Sequence, residues 1–229
     1  MGRIKLYDII TESIERDMFE GFDETELTED YPVDFDIFNF KNIRGYAAKL
    51  RYAETYLGKP IGRGSSRVVY RVDTDKVLKL AKNKKGIAQN EVEINWSGDN
   101  YYGDIMARIF DYDRDDSLWV EMELAFRSKK SDFKRLWGVD LDKMHYYLRN
   151  RYQENNGKPS YFSIEPEIKE QLDNNDYVQH LLEFVLDSDT NPGDLGRVSS
   201  WGLVKRTGGM ALVLIDYGLT SDVYESYYR

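Results

Sequence analysis

GKPIGRGSSRVVYRVDTDKVLKLA, residues 58–81, marks a change of texture in the chain. Polar and apolar residues alternate through it, β-branched types dominate, and the polar run Asp73-Thr-Asp-Lys76 interrupts the alternation. That pattern predicts two strands joined by a short turn. Gly62 and Gly64 fall at a turn between strands. Glycine lets a backbone come close to an anion, and peptide amides in such a turn can face its oxygens. A hairpin with two glycines is, by itself, more often only a turn. A dinucleotide-binding reading fails, because a strand follows these glycines where that fold needs a helix. Lys79, inside Val77-Leu-Lys79-Leu80, projects from the strand face opposite its immediate apolar neighbours. An edge-strand lysine in water is the competing reading.

Outward from this stretch, residues 86–96 (GIAQNEVEINW) predict a helix. Ile87, Glu91 and Ile94 form one stripe, which directs Glu91 to the sheet as the partner of Lys79. Glu93 is the alternative, about 200° away around the helix. Residues 106–125 predict two further strands around the turn 114–117, so the order is strand, strand, helix, strand, strand. Before the strands, residues 3–18 read as an amphipathic helix, 20–30 as an acidic loop and 41–57 as a second helix. The apolar positions of that second helix (Ile43, Ala47, Leu50, Tyr56) need a partner, and the sheet is the expected one. Beyond Ala125 the chain turns helical and polar, with helices over 140–155 and within 164–186. The Gly/Pro/Ser-rich segment 191–202 predicts a loop. A hairpin over 203–215 and a short terminal helix capped by Ser221 close the chain. The fold class is α+β, divided into a helical extension (1–56), a strand-rich unit (57–125) and a mainly helical unit (126–229).

Composition narrows the chemistry. There is no cysteine, which excludes disulfides, thiolate catalysis and cysteine-zinc sites. The only histidines are His145 and His180, so a histidine-rich metal site is not expected. A net charge of −9 disfavours a broad nucleic-acid surface, and the basic stretches 82–85 and 127–130 read as solvated loops. No apolar run is long enough for a bilayer and the start lacks a secretory apolar region, so a cytoplasmic protein is expected.

Two aspartates complete the constellation. Asp194 lies in the Gly/Pro loop, and Asp216 ends the apolar run 211–215, followed by Tyr217-Gly218. A carboxylate at the end of a buried strand is costly to desolvate without a cation. Magnesium, which takes hard oxygens, is the natural one, and a cap on the next turn is the alternative use of that aspartate.

Taken in order, these motifs resemble the protein-kinase-like superfamily, in particular small kinase-like proteins of tailed bacteriophages. SSWGLVKR (199–206) and LVLIDYGLT (212–220) carry the phage likeness. The resemblance implies a two-lobed fold with a small antiparallel-sheet N-lobe and a reduced C-lobe holding ATP and Mg²⁺. It makes Gly62, Gly64, Ser65 and Val69 the phosphate loop and Lys79 the phosphate-contacting lysine. Glu91 becomes its helix partner, Met122 the gatekeeper, and Glu123 to Ala125 the adenine hinge. Asp194 becomes the catalytic base, and Asp216 with Ser199 the metal ligands. The chain departs from the pattern at Arg67 (third loop glycine), at Pro192 and Gly193 (His-Arg), and at Ser199 (asparagine). Only 11 residues follow Gly218, so no activation segment is expected. The implied function is ATP-dependent phosphoryl transfer to an unknown hydroxyl of a protein or small molecule. The alternative is a pseudokinase that serves as a nucleotide-binding or structural module of a phage. Nucleotidyl transfer is a third chemistry known in such folds. The implied location is the host cytoplasm, with virion association left open.

Overall fold

The alternation of residues 67–81 becomes two neighbouring strands whose two faces differ in chemistry. In the computed structural model, which describes residues 34–98 and 101–227, β2 (Arg67–Arg71) pairs antiparallel with β3 (Lys76–Ala81). Val68, Tyr70, Leu78 and Leu80 point to one face and are buried, while Arg67, Val69, Val77 and Lys79 occupy the other. A short strand, β1 (Gly62–Arg63), precedes them, and β4 (Ile109–Tyr112) and β5 (Trp119–Glu123) extend the sheet. Its order is β1-β2-β3-β5-β4, antiparallel throughout. The fold is mixed α+β.

Two helices, α1 (Ile37–Asn42) and α2 (Tyr46–Leu57), cover the apolar face with Phe40 and Ala53. The single helix expected over 41–57 is therefore two. Gly45 breaks it with φ of 77°, a left-handed region that favours glycine. Buried Lys49 donates from α2 to the carbonyls of Phe40 (2.9 Å) and Lys41 (3.1 Å), satisfying the end of α1. The helix and acidic loop expected within residues 3–30 lie outside the described residues.

Helix α3 (Lys84–Trp96) follows β3, capped by the Asn83 side chain, which accepts from the Gly86 amide at 3.2 Å. After β5 comes a strand that the sequence did not reveal, β6 (Phe126–Arg127). It joins β7 (Trp201–Arg206) and β8 (Gly209–Leu214) in a second sheet, ordered β6-β7-β8. Between β6 and β7 lie α4 (Lys130–Trp137), α5 (Leu141–Asn155), α6 (Pro166–Asp173) and α7 (Asp176–Ser188). The segment expected to be only loop contains a one-turn helix, α8 (Pro192–Leu195), and a 3₁₀ turn at Val198–Ser200. The terminal helix α9 (Ser221–Tyr227) is capped by Thr220, not Ser221. The Thr220 hydroxyl accepts from the Val223 amide at 3.4 Å.

The larger core joins Phe133, Met144, Leu148, Leu181 and Val185 of the helices to Trp201 and Leu212 of the second sheet. It continues to Val77 and Met122 of the first sheet. Backbone bonds also tie β8 to the segment that precedes β4: Ala107 N–H to Leu214 O (2.9 Å) and Leu214 N–H to Ile105 O (2.8 Å). Among the described residues no helix is long and apolar enough to cross a membrane.

Candidate active site

Lys79 is the centre of the polar face of the first sheet. It is 6% exposed, and its ammonium donates to both carboxylate oxygens of Glu93, at 3.1 and 3.0 Å, and to the Ile215 carbonyl. Burial lowers the Lys79 pKa and the neighbouring Arg67 charge lowers it further, while Glu93 pulls the other way.

The helix partner is Glu93, which corrects the expectation of Glu91. Glu91 is exposed, whereas Glu93 is 0% exposed. The reason lies in which stripe of α3 meets the sheet. Gly86, Gln89, Asn90 and Glu93, at helical spacing, form the buried face. The sheet face opposite carries two cations, so polar side chains rather than Ile87 and Ile94 are turned toward it.

The second cation is Arg67, and sequence reasoning passed over it. Its guanidinium lies 2.9 Å from a Glu93 oxygen, reaches Asn90 at 3.4 Å and donates to Asp216. A signal was available: Arg67, two residues before Val69, must share a strand face with it and with Lys79.

A cavity of about 570 Å³ opens on this face. Gly62, Gly64, Val69, Lys79, Met122, Glu123, Ala125, Ser199 and Asp216 line it, and Arg67 and Ile215 contribute as well. The expected residues far apart in sequence are thus brought to one crevice, with Glu91, already corrected, and two further exceptions. Ser65 does not line it and instead accepts through its carbonyl from Asn83 (3.1 Å). Ser66 takes its place, its hydroxyl donating to Gln89 at 2.7 Å. Asp194 is not part of the lining either, but it is half-buried and close enough to Asp216 for the two charges to interact.

The glycine turn closes through a bond from the Gly64 amide to the Arg67 carbonyl (2.9 Å). A Cβ at Gly62 or Gly64 would meet no atom nearer than 3.5 Å, and neither residue has positive φ. The protein's own packing does not require these glycines.

Backbone bonds hold the two aspartate loops together: Asn191 N–H to Leu219 O (3.0 Å) and Ile215 N–H to Ser200 O (2.9 Å). The Ser200 hydroxyl adds a bond to the Asp194 carbonyl at 2.9 Å. Burial raises the Asp194 pKa, and the Asp216 charge adds to this against the opposing pull of Arg197. His145, from α5, packs its ring against Gly196 and is bonded to the Pro192 backbone. The Glu123 side chain is committed elsewhere, to Arg206, so it borders the cavity without being available to a ligand. Among the described residues, no three of His, Asp and Glu converge as a metal cage. Asp216 and Ser199 instead offer hard oxygens, the donor type that magnesium takes.

Gly218 has a structural duty. A Cβ there would lie 2.4 Å from the Gln89 carbonyl oxygen, which belongs to helix backbone and cannot swing aside. Gly218→Ala is therefore expected to destabilise the protein by roughly 1–3 kcal/mol. Urea denaturation measures this, and an unchanged midpoint would contradict the close packing of this turn on α3.

No protein-family model matches the chain, and no match to a curated protein was found.

Proposed function

We propose that this chain is a protein-kinase-like, ATP-dependent phosphotransferase, with the five-stranded sheet as N-lobe and the helices with the second sheet as a reduced C-lobe. The observation that carries the reading is buried Lys79, paired with Glu93 at 3.0 Å and lining the same 570 Å³ cavity as Asp216 and the Gly62–Gly64 turn. Few other tasks explain a lysine buried beneath a glycine turn and pointed at a carboxylate cluster.

In this reading the apolar part of the cavity (Val69, Val77, Met122, Ala125, Ile215) takes the adenine, and Lys79 holds the phosphates. Asp216 would hold Mg²⁺ with Ser199 at its side; the ion neutralises phosphate charge in such transfers. Asp194 receives the acceptor's proton as the acceptor oxygen bonds to the γ-phosphorus. The bond from that phosphorus to the bridging oxygen breaks, and ADP leaves. A carboxylate whose pKa is raised accepts a proton more readily, which suits Asp194 to this role. The acceptor is a hydroxyl of a protein or small molecule.

The contact of Arg67 with Asp216 favours a second reading, in which the nucleotide is held but not turned over. Thermal melting with Mg-ATP, run beside transfer of labelled phosphate, separates the two. Stabilisation with transfer supports the phosphotransferase, stabilisation alone supports the pseudokinase, and the absence of both removes the nucleotide reading.

Lys79→Met is expected to abolish transfer while leaving a folded protein, because Glu93 keeps Arg67 at 2.9 Å. Wild-type transfer by this variant would show that the cavity is not the reaction site.

A further inference from the structure

Arg67 carries a buried charge that the pattern of motifs does not require. It is 7% exposed, and burying a guanidinium is costly unless the charge has a use. Glu93, Asp216 and Asn90 hold it in the cleft as it stands. Glu93 already has both oxygens on Lys79, at 3.1 and 3.0 Å. The Asp216 side chain is 53% exposed, so water can solvate it. A small neutral residue at this start of β2 would complete the hairpin without a buried charge.

The placement of Arg67 indicates where its charge is used. It follows the glycine turn directly, lines the cavity, and lies on the same sheet face as Lys79, one register step away. A guanidinium has two parallel N–H edges suited to phosphate oxygens, and one nitrogen can remain anchored while the other exchanges partners. Here one nitrogen is anchored on wholly buried Glu93 and the other rests on half-exposed Asp216. The second partner is the solvated one, and a solvated carboxylate loses little on release.

Resting on the nucleotide reading above, we propose that Arg67 is a second phosphate-binding cation of this cleft. When a nucleoside di- or triphosphate enters, the outer guanidinium nitrogen leaves Asp216 for an oxygen of the β- or γ-phosphate. The inner nitrogen stays on Glu93. The same movement releases the Asp216 carboxylate, so phosphate binding and the readiness of Asp216 for a cation are one event.

The test is a phosphate ladder. Dissociation constants for adenosine, AMP, ADP and ATP are measured calorimetrically on the full chain, with EDTA and separately with Mg²⁺. The proteins compared are the wild type, Arg67→Met and Arg67→Lys, with Arg67→Gln replacing the methionine variant if that one does not fold. Loss of Arg67 is expected to weaken ADP and ATP by about 10- to 100-fold while adenosine and AMP stay within about 3-fold. Lysine should restore part of the loss. If adenosine weakens as much as ATP, Arg67 is only structural and the inference falls. It falls alone if the wild type binds the series and the variants bind it equally well. A wild type that binds none of the four overturns the nucleotide reading, and this inference with it.

Discussion

Glu93→Ala is expected to be among the most destabilising single substitutions in the chain, costing about 3–5 kcal/mol, while Glu91→Ala costs within about 0.5 kcal/mol. The asymmetry follows from burial. Glu93 is the carboxylate that faces both Lys79 and Arg67, and all three groups are under 10% exposed. Without it, two cations share one sheet face, with Asp216 paired to Arg67 and acting on Lys79 through its charge alone. Removing the shared anion leaves two desolvated cations side by side, which costs far more than the network contributes when intact. A loss of that size approaches the whole stability of an ordinary domain. Glu91 is exposed on the far side of α3, where truncation affects only solvated atoms. Urea melts of the two variants decide the matter. Equal midpoints, or a larger loss for Glu91→Ala, would mean that the helix presents a different face to the sheet.

This pair of glutamates also shows where sequence reading succeeds and where it stops. Strands β2 and β3 were legible because a sheet with one apolar face imprints a period of two, and Val68, Tyr70, Leu78 and Leu80 carry that imprint. The same period placed Lys79 on the other face, as observed. Helix α3 was legible as a helix but not in its orientation. Pattern reasoning assumes that the apolar stripe faces the protein, and at α3 the stripe of Gln89, Asn90 and Glu93 does so instead. The rule fails where the opposing surface is charged, as it is at Lys79 and Arg67. Arg67 was missed for a related reason: viewed as a substituted loop glycine it had no role, and its partners at 93 and 216 are visible only once the chain is folded. The strand β6 is two residues long, too short for any periodicity. The α8 turn was hidden because Pro192 and Gly193, which signal a loop, are also tolerated in a first helical turn.

Asp194→Asn is expected to reduce phosphate transfer by about 10²- to 10⁴-fold, the usual worth of a positioned general base. The same change should make the protein no less stable at neutral pH, and that combination separates a catalytic role from a structural one. The pKa of Asp194 is raised in the folded protein, by burial first and by the Asp216 charge as well. A raised folded pKa means that the folded state favours the protonated acid. The associated stability is fully present below the ordinary aspartate value, about pH 4, and is lost as pH rises through the raised value. Asparagine stays neutral throughout and loses nothing over that window. The melting temperature of the variant relative to wild type should therefore rise between about pH 4 and pH 7. The charged contact it forfeits among the described residues, with Arg197 at 3.2 Å, involves an arginine that is 71% exposed and contributes little. Melting curves at the two pH values, together with transfer assays at pH 7, test both halves. A variant that is less stable at pH 7 yet still transfers phosphate would make Asp194 a structural residue of the α8 loop. The proton acceptor would then have to be sought among other groups around the cleft.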